Sequence, residues 1–289
     1  MVYRDEQSGE LGGLSRVRAI TQDDAHVFCR MNQAESEISK IWDVVHRFYE
    51  TFDIKLTVRF SRHDPDKMED YIGDEETWEN AENQIHDVLK AKGVDYADGM
   101  GEAAFYGPKI DFMGKDAFGR EFQAATIQLD MGQPEGFDLV CINENSERER
   151  IVMIHAAIAG SLERFMVLLI EQTAGAFPLW LSPEQVRLAP VNDSAKIEAY
   201  TKQVQSQLQS VGLRVAVDWS SESVGKKIRA AGVGKVPYTL VIGEKELETN
   251  AFSPRLRHGH GEYAGTLSMD DLKTALTAEV KDRALKSVL

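Results

Sequence analysis

With 289 residues, 43% of them hydrophobic, the chain is long for one domain and able to bury two cores. No apolar run reaches the roughly 18–20 residues of a membrane helix, the opening MVYRDEQSGELGG lacks the apolar stretch of a secretory signal, and two cysteines, Cys29 and Cys141, cannot build a disulfide framework; a reduced, cytoplasmic setting with no membrane is expected. A formal net charge of −14 argues against a nucleic-acid partner for the chain as a whole, but residues 183–289 carry 15 Lys+Arg against 13 Asp+Glu while residues 1–182 carry 18 against 34, so any contact with RNA phosphate is expected in the last third.

The stretch from Tyr3 to His26 reads as two extended arms joined by a long loop containing Gly9, Gly12 and Gly13. It gathers Arg4, Arg16 and Arg18 with Glu6, Asp23 and Asp24. Guanidinium forks match phosphate oxygens and carboxylates accept from amino groups, so the hairpin suits a ligand that is both polyphosphate and amine; a solvated, salt-bridged hairpin is the alternative. Ile38, Ile41, Trp42, Val45, Phe48, Tyr49 and Phe52 then recur at three- and four-residue steps, which predicts an amphipathic helix with its aromatic residues in the core. Residues 54–60, IKLTVRF, alternate as a strand does, and Asp74 is placed to cap a helix from Glu75 to Lys92 that stops at Gly93.

From Val94 to Ile151 the period becomes two, and KIDFM, EFQAATIQLDM and FDLVCIN predict antiparallel strands separated by Gly- and Asp-containing turns. Gly99-x-Gly101-x-x-Ala104 mimics a dinucleotide fingerprint, but no helical pattern follows it. Cys141 falls in an apolar strand and reads as packing. IVMIHAAIAG is apolar enough for a buried strand; beyond Gly160 a helix is expected with Leu162, Phe165, Met166, Leu169 and Ile170 on its core side, ending near Gly175. Arg164 in its first turn would sit at a sheet edge and need a partner.

The prolines of FPLWLSP set an expected domain boundary near Ser182, giving domains 1–182 and 183–289. Past it, VRLAPV, LRVAVD and VPYTLVIG alternate with helical patterns, which predicts a small α/β domain with a largely parallel sheet. Its basic set is Lys226, Lys227, Arg229, Lys235, Arg255 and Arg257, most of which read individually as a solvated face.

The order Arg4-x-Glu6, a loop, Arg16 and Asp24 is similar to motif 2 of class II aminoacyl-tRNA synthetases, and TQDDAHVFC is close to its form in threonyl-tRNA synthetases. AFYGPKIDF at 104–112 agrees, and VMIHAAIAGSLERF at 152–165 resembles motif 3 with its Gly-x-x-Glu-Arg ending. The resemblance covers nearly the whole chain. It implies an α+β class II catalytic core, an antiparallel sheet with helices truncated at its N-terminal side, followed by an α/β anticodon-binding domain. The implied function is threonine–tRNA ligase, with threonine, ATP and tRNA(Thr) as partners, Mg2+ accompanying ATP, and a homodimer as the family's assembly.

The resemblance assigns Arg4 to the α-phosphate, Glu6 to the adenine amino group, Arg16 to the terminal phosphates and Arg164 to the far side of the nucleotide, Arg4 and Arg164 being the catalytic pair. His26 and His155 match two ligands of a Zn2+ ion whose third protein ligand, a cysteine, is missing from this chain; Cys29 is not that ligand. Gln22, Asp24, Tyr106, Lys109, Gln128 and Ser161 would line the threonine pocket. In the last third, Glu246 and Arg255 would contact the anticodon, with Lys226 and Lys227 on backbone phosphate. The chain departs from the pattern in three ways: it begins almost at motif 2, it has Ile20 where a phenylalanine stacks under adenine, and it has Ala156 where an arginine follows the histidine. Two readings follow, a piece of a longer ligase or a non-catalytic RNA-binding or regulatory relative. Little threonine-dependent pyrophosphate exchange is expected from the chain alone.

Overall fold

Strands β1 (Val2–Tyr3) and β2 (Ala19–Ile20) close the ends of the opening hairpin as an antiparallel pair in the computed structural model, which describes residues 1–115 and 119–289. The loop between them is tied by Arg4 N donating to Arg18 O at 2.9 Å and by a bridge between Gly12 and Arg16. The chain forms two units, Met1–Gln172 and Thr173–Leu289.

In the first unit the elements run β3 (Gln22–Arg30), α1 (Ala34–Glu50), β4 (Thr57–Arg62), α2 (Glu75–Lys92), β5 (Tyr96–Met100), β6 (Lys109–Lys115), β7 (Glu121–Asp130), the short α3 (Gly132–Gly136), β8 (Val140–Ile142), β9 (Arg148–Ser161) and α4 (Leu162–Thr173). The described strands form one sheet in the order β3-β9-β7-β6-β4-β5, with β8 added at the start of β9. Its pairs are antiparallel except one. The strands expected at KIDFM, EFQAATIQLDM and FDLVCIN pair antiparallel, while β5, which the sequence pattern did not single out, runs parallel to β4 because α2 supplies the crossover that a parallel neighbour requires. The turn expected between β6 and β7 includes residues 116–118, which lie outside the described residues.

Helix α1 presents Ile38, Trp42, Val45 and Tyr49 to one face of this sheet and packs on β9, β7 and α2. Helix α2 starts and stops where its sequence says it should: Asp74 accepts from Thr77 N at 2.9 Å, and Gly93 ends it at φ 62°. Helix α4 differs from expectation. It follows β9 with no intervening turn, which fixes its roll so that Leu168 is buried and Phe165 packs on Phe48, Tyr49 and Phe52, while Leu162, Met166 and Ile170 are exposed. Among the described residues no helix is long and apolar enough to cross a membrane.

The second unit has β10 (Val186–Pro190), α5 (Ala195–Gln209), β11 (Val215–Val217), α6 (Val224–Val233), β12 (Tyr238–Ile242), α7 (Glu244–Thr249), β13 (Ala251–Phe252), β14 (Arg255–Leu256), β15 (Leu267–Ser268) and α8 (Met269–Lys281). Its sheet runs β11-β10-β12-β14, parallel across the first three strands and antiparallel at β14. Val186, Leu188, Leu240 and Ile242 meet Val204, Leu208, Leu272 and Leu276 in its core.

Candidate active site

Four adjacent strands of the first unit carry a row of polar side chains in register. His26 of β3 stands opposite His155 of β9, His155 opposite Gln128 of β7, and Gln128 opposite Lys109 of β6. The next row with the same facing runs Asp24, Ala157, Thr126, Asp111 and Arg59. Directly opposed residues share a face, and a step of two along each strand returns to it, so both rows lie on the side of the sheet away from α1 and α2. Residues far apart in the chain are thereby brought together by strand register alone.

A bulge in β3 between Gln22 and Asp24 turns the Asp23 carboxylate inward, where it accepts from Ile158 N at 2.9 Å and Ala159 N at 2.7 Å. Burial pushes the Asp23 carboxyl upward, and those two N–H groups oppose the shift. Two glycines make the close approaches this face needs. A Cβ at Gly107 would lie 1.7 Å from Leu129 O, and one at Gly160, at φ +63°, would lie 2.5 Å from Ala124 O.

The start of α4 is sewn to β3. Leu162 N donates to Thr21 O at 2.9 Å, and the Glu163 carboxylate accepts from Thr21 N at 3.0 Å and from Ser161 Oγ at 2.8 Å. Burial pushes the Glu163 carboxyl up, but the hydrogen bonds from its own N–H, from Ser161 and from Thr21 outweigh it and hold the group at about 2. Arg164 follows. It donates from Nε to Ser15 O at 3.3 Å and from Nη1 to Gln123 O at 3.5 Å, the partners its position at a sheet edge demands. Burial, and then the nearness of Arg4 and Arg16, lower its pKa.

These pieces enclose a cavity of about 440 Å³ lined by Gln22, Asp24, Tyr106, Lys109, Gln128 and His155, together with Arg4, Ser161 and Arg164. A recess of about 170 Å³ shares Arg4, Ile20, Ser161 and Arg164 with it and adds Glu6 and Arg16. All six residues expected around threonine line the cavity and all four expected around the nucleotide line the recess, and the two share Arg4, Ile20, Ser161 and Arg164. In the recess Arg16 is paired with Glu6 at 2.8 Å and Glu10 at 3.2 Å, so the hairpin is salt-bridged and cavity-lining at once.

His26 is exposed and stands edge-on to His155, ring centroids 4.6 Å apart. Ligand atoms of Asp24, His26 and His155 all lie within 4.8 Å of one another. His155 Nε2 meets Asp130 Oδ2 at 2.7 Å, and Tyr106 donates its hydroxyl to Gln128 Oε1 at 3.0 Å. Burial, then the charges of Asp130 and Asp24, push the Tyr106 hydroxyl upward.

Sequence reasoning missed the supporting polar residues Asp111, Gln123, Thr126 and Asp130, and it gave Asp23 and Glu163 no supporting role. Asp111 had a signal: it interrupts the buried apolar pair Ile110 and Phe112 two residues after Lys109, where a strand alternating between faces would aim it at the cavity side.

In the second unit two expectations fail. Lys227, expected on RNA phosphate, is 5% exposed and donates to Pro190 O at 3.0 Å, because it and Ala231 form the inward side of α6. Arg257 of the basic set is 8% exposed and donates to the carbonyls of Ala176, Phe177 and Lys235. Lys226 is exposed and paired with Glu222 at 2.6 Å; Arg255 is exposed on β14. Glu246 caps α7 by accepting from Gly243 N at 2.9 Å.

Residues 1–173 match the family described as tRNA synthetase class II core domain (G, H, P, S and T), and residues 185–279 match the one described as anticodon binding domain. A class II aminoacyl-tRNA synthetase core with its appended domain is therefore the class that this fold and site define. The chain is 43% identical over 284 residues to the threonine–tRNA ligase of Prosthecochloris aestuarii, covering 98% of this chain and 43% of that protein. It is 45% identical over 283 residues to that of Synechococcus elongatus, covering 98% of this chain and 46% of that protein. A solved structure described as the RNA binding domain of threonyl-tRNA synthetase from Cryptosporidium parvum superposes with a TM-score of 0.85 at 36% identity, over 96% of this chain and 68% of that one. The chain belongs to the threonyl-tRNA synthetase family and spans less than half the length of these two curated relatives.

Proposed function

We propose that residues 1–182 carry the site at which a threonine–tRNA ligase activates threonine with ATP, and that residues 183–289 bind the anticodon part of tRNA(Thr). The observation that carries this reading is the convergence of Arg4, Arg16 and Arg164 with Gln22, Asp24, Tyr106, Lys109, Gln128 and Ser161 around a cavity and a recess that share Arg4, Ile20, Ser161 and Arg164. In the reaction the threonine carboxylate attacks the α-phosphorus of ATP and pyrophosphate leaves; a terminal ribose hydroxyl of tRNA then attacks the carbonyl and AMP leaves. Arg4 is suited to hold the α-phosphate and Arg164 the far side of the nucleotide, and both guanidinium groups can offset charge that builds during the transfer. Arg16 would exchange Glu6 and Glu10 for the terminal phosphates of ATP, with Mg2+, and the released Glu6 carboxylate would accept from the adenine amino group.

Threonine and valine have nearly the same shape, so an apolar pocket separates them poorly, whereas polar groups left unpaired by valine reject it strongly. The polar lining here is of that second kind. His26, His155 and Asp24 also fit a divalent ion of zinc type, since two imidazoles and a carboxylate lie within one ligand span and Asp130 orients His155. Bound zinc would supply a Lewis-acidic centre for the lone pairs of an amino and a hydroxyl group. On this reading the protein works in the cytoplasm.

The test is calorimetric titration of the purified chain with a sulfamoyl mimic of threonyl-adenylate and with its valyl counterpart. Binding of the first with strong preference over the second is expected; no binding by folded protein rejects the proposal. A second reading, an RNA-binding relative without catalysis, is favoured by Ile20, which lines both spaces where the resemblance implies an aromatic ring. It predicts RNA binding with no response to either mimic.

A further inference from the structure

We propose that Asp111 is a positioning residue that holds the Lys109 ammonium and the Gln123–Thr126 wall in the geometry that receives the anionic part of the ligand. This inference rests on the function proposed above.

Asp111 has no exposure to solvent, yet its carboxylate accepts from five side chains. Oδ2 receives Ser61 Oγ at 2.8 Å, Arg59 Nη2 at 3.2 Å and Lys109 Nζ at 2.9 Å; Oδ1 receives Gln123 Nε2 at 2.8 Å and Thr126 Oγ1 at 3.0 Å. The donors come from three neighbouring strands, β4, β6 and β7. A buried carboxylate needs such partners, and a purely structural core pair would need no more than them. What distinguishes this cluster is where the partners lie. Lys109, Gln123 and Thr126 line the cavity, and the Gln123 carbonyl receives Arg164, so the carboxylate stands directly behind a wall that the ligand touches.

Its charge count also bears on the ligand. Two cations, Arg59 and Lys109, share one anion, so the cluster is left with one positive charge, and Lys109 is the member at the cavity. Arg59 is not among the cavity's lining residues; it offsets Asp111 from the far side and leaves the Lys109 ammonium only partly neutralised. Lysine's ammonium is a compact charge on a flexible stem, so without the carboxylate it has no fixed place. An anion entering the cavity would meet a cation already aimed rather than one it must order, which is how pre-organisation raises affinity.

The experiment is a double-mutant cycle on Asp111→Asn and Lys109→Met, reading affinity for the sulfamoyl threonyl-adenylate mimic, whose acyl-sulfamate group is anionic, beside adenosine, which carries no charged group. Asp111→Asn keeps the shape and removes the charge. It is expected to weaken the mimic about tenfold, the scale of one hydrogen bond to a charged group, and to leave adenosine unchanged. In the Lys109→Met background it should add little further loss. A full, additive loss there, or no loss in folded Asp111→Asn protein, overturns the proposal. Failure of the unaltered chain to bind the mimic rejects the proposed function instead. Should Asp111→Asn not fold, Arg59→Gln, which gives the whole carboxylate to Lys109, is expected to weaken the mimic and not adenosine; equal affinity for the mimic overturns the proposal by that route.

Discussion

His155 Nε2 lies 2.7 Å from Oδ2 of Asp130, a carboxylate with no exposure to solvent, so the ring is held in one orientation by one of its two nitrogens. Histidines that bind metals are commonly fixed in this way through the other ring nitrogen. Asp130→Asn keeps the size and removes the charge that orients the ring. Zinc affinity of the purified chain, followed by competition with a coloured chelator, is expected to fall about 10–100-fold. Equal affinity in both proteins would separate His155 from any metal role.

Glu163 joins the two halves of the site by gripping Thr21 and Ser161. Its carboxyl is held at about 2 against an ordinary 4.5, so the unfolded chain takes up a proton there before the folded one does. The stabilisation is complete above about 4.5 and is lost as pH falls from there towards 2. Acid titrations of stability should show a steeper fall in this window for the unaltered chain than for Glu163→Gln, and parallel curves would show that the carboxylate contributes nothing.

Ile20 borders both the cavity and its recess, where an aromatic ring would have a face to offer a purine. Stacked ring pairs gain roughly 0.5–1.5 kcal/mol beyond burial, so Ile20→Phe is expected to tighten adenosine binding about two- to tenfold. Unchanged or weaker binding would mean the purine lies elsewhere.

Lys227 and Arg255 separate stability from recognition within one domain. Lys227→Met keeps the stem but orphans the Pro190 carbonyl, and should destabilise by about 1–3 kcal/mol in urea unfolding. Arg255→Ala should leave stability alone and weaken tRNA binding with a shallower salt dependence, as loss of a phosphate contact does. A Lys227→Met variant of normal stability but poor tRNA affinity would restore the reading from sequence that the buried geometry opposes.

What could be read in the sequence was local or motif-borne. Asp74 and Gly93 bound α2 because a cap and a left-handed stop act within one turn. Arg4, Glu6 and Arg164 were found as members of motifs, and the strand register then brought their segments together. The parallel pairing of β5, the roll of α4 and the burial of Lys227 depend on which neighbour each element meets, which no spacing encodes. Asp130 and Asp111 stayed hidden for the same reason: a carboxylate within an apolar strand has meaning only beside the histidine or lysine it holds.

Gly160 ends β9 with a backbone that a side chain would spoil. At φ +63°, and with Ala124 O 2.5 Å from where its Cβ would be, Gly160→Ala must both strain the chain and push β7 away. Ser161, Glu163 and Arg164 follow at once, so the displacement would reach the cavity as well as the core. The expected result is a loss of about 1–3 kcal/mol in unfolding free energy together with weaker binding of the adenylate mimic. Gly9→Ala is the control, since nothing lies within 4 Å of its Cβ and it should change neither quantity. If Gly160→Ala lost stability yet kept full affinity for the mimic, the glycine would serve the fold alone, and the position of Arg164 would have to be set by its contacts with Ser15 and Gln123.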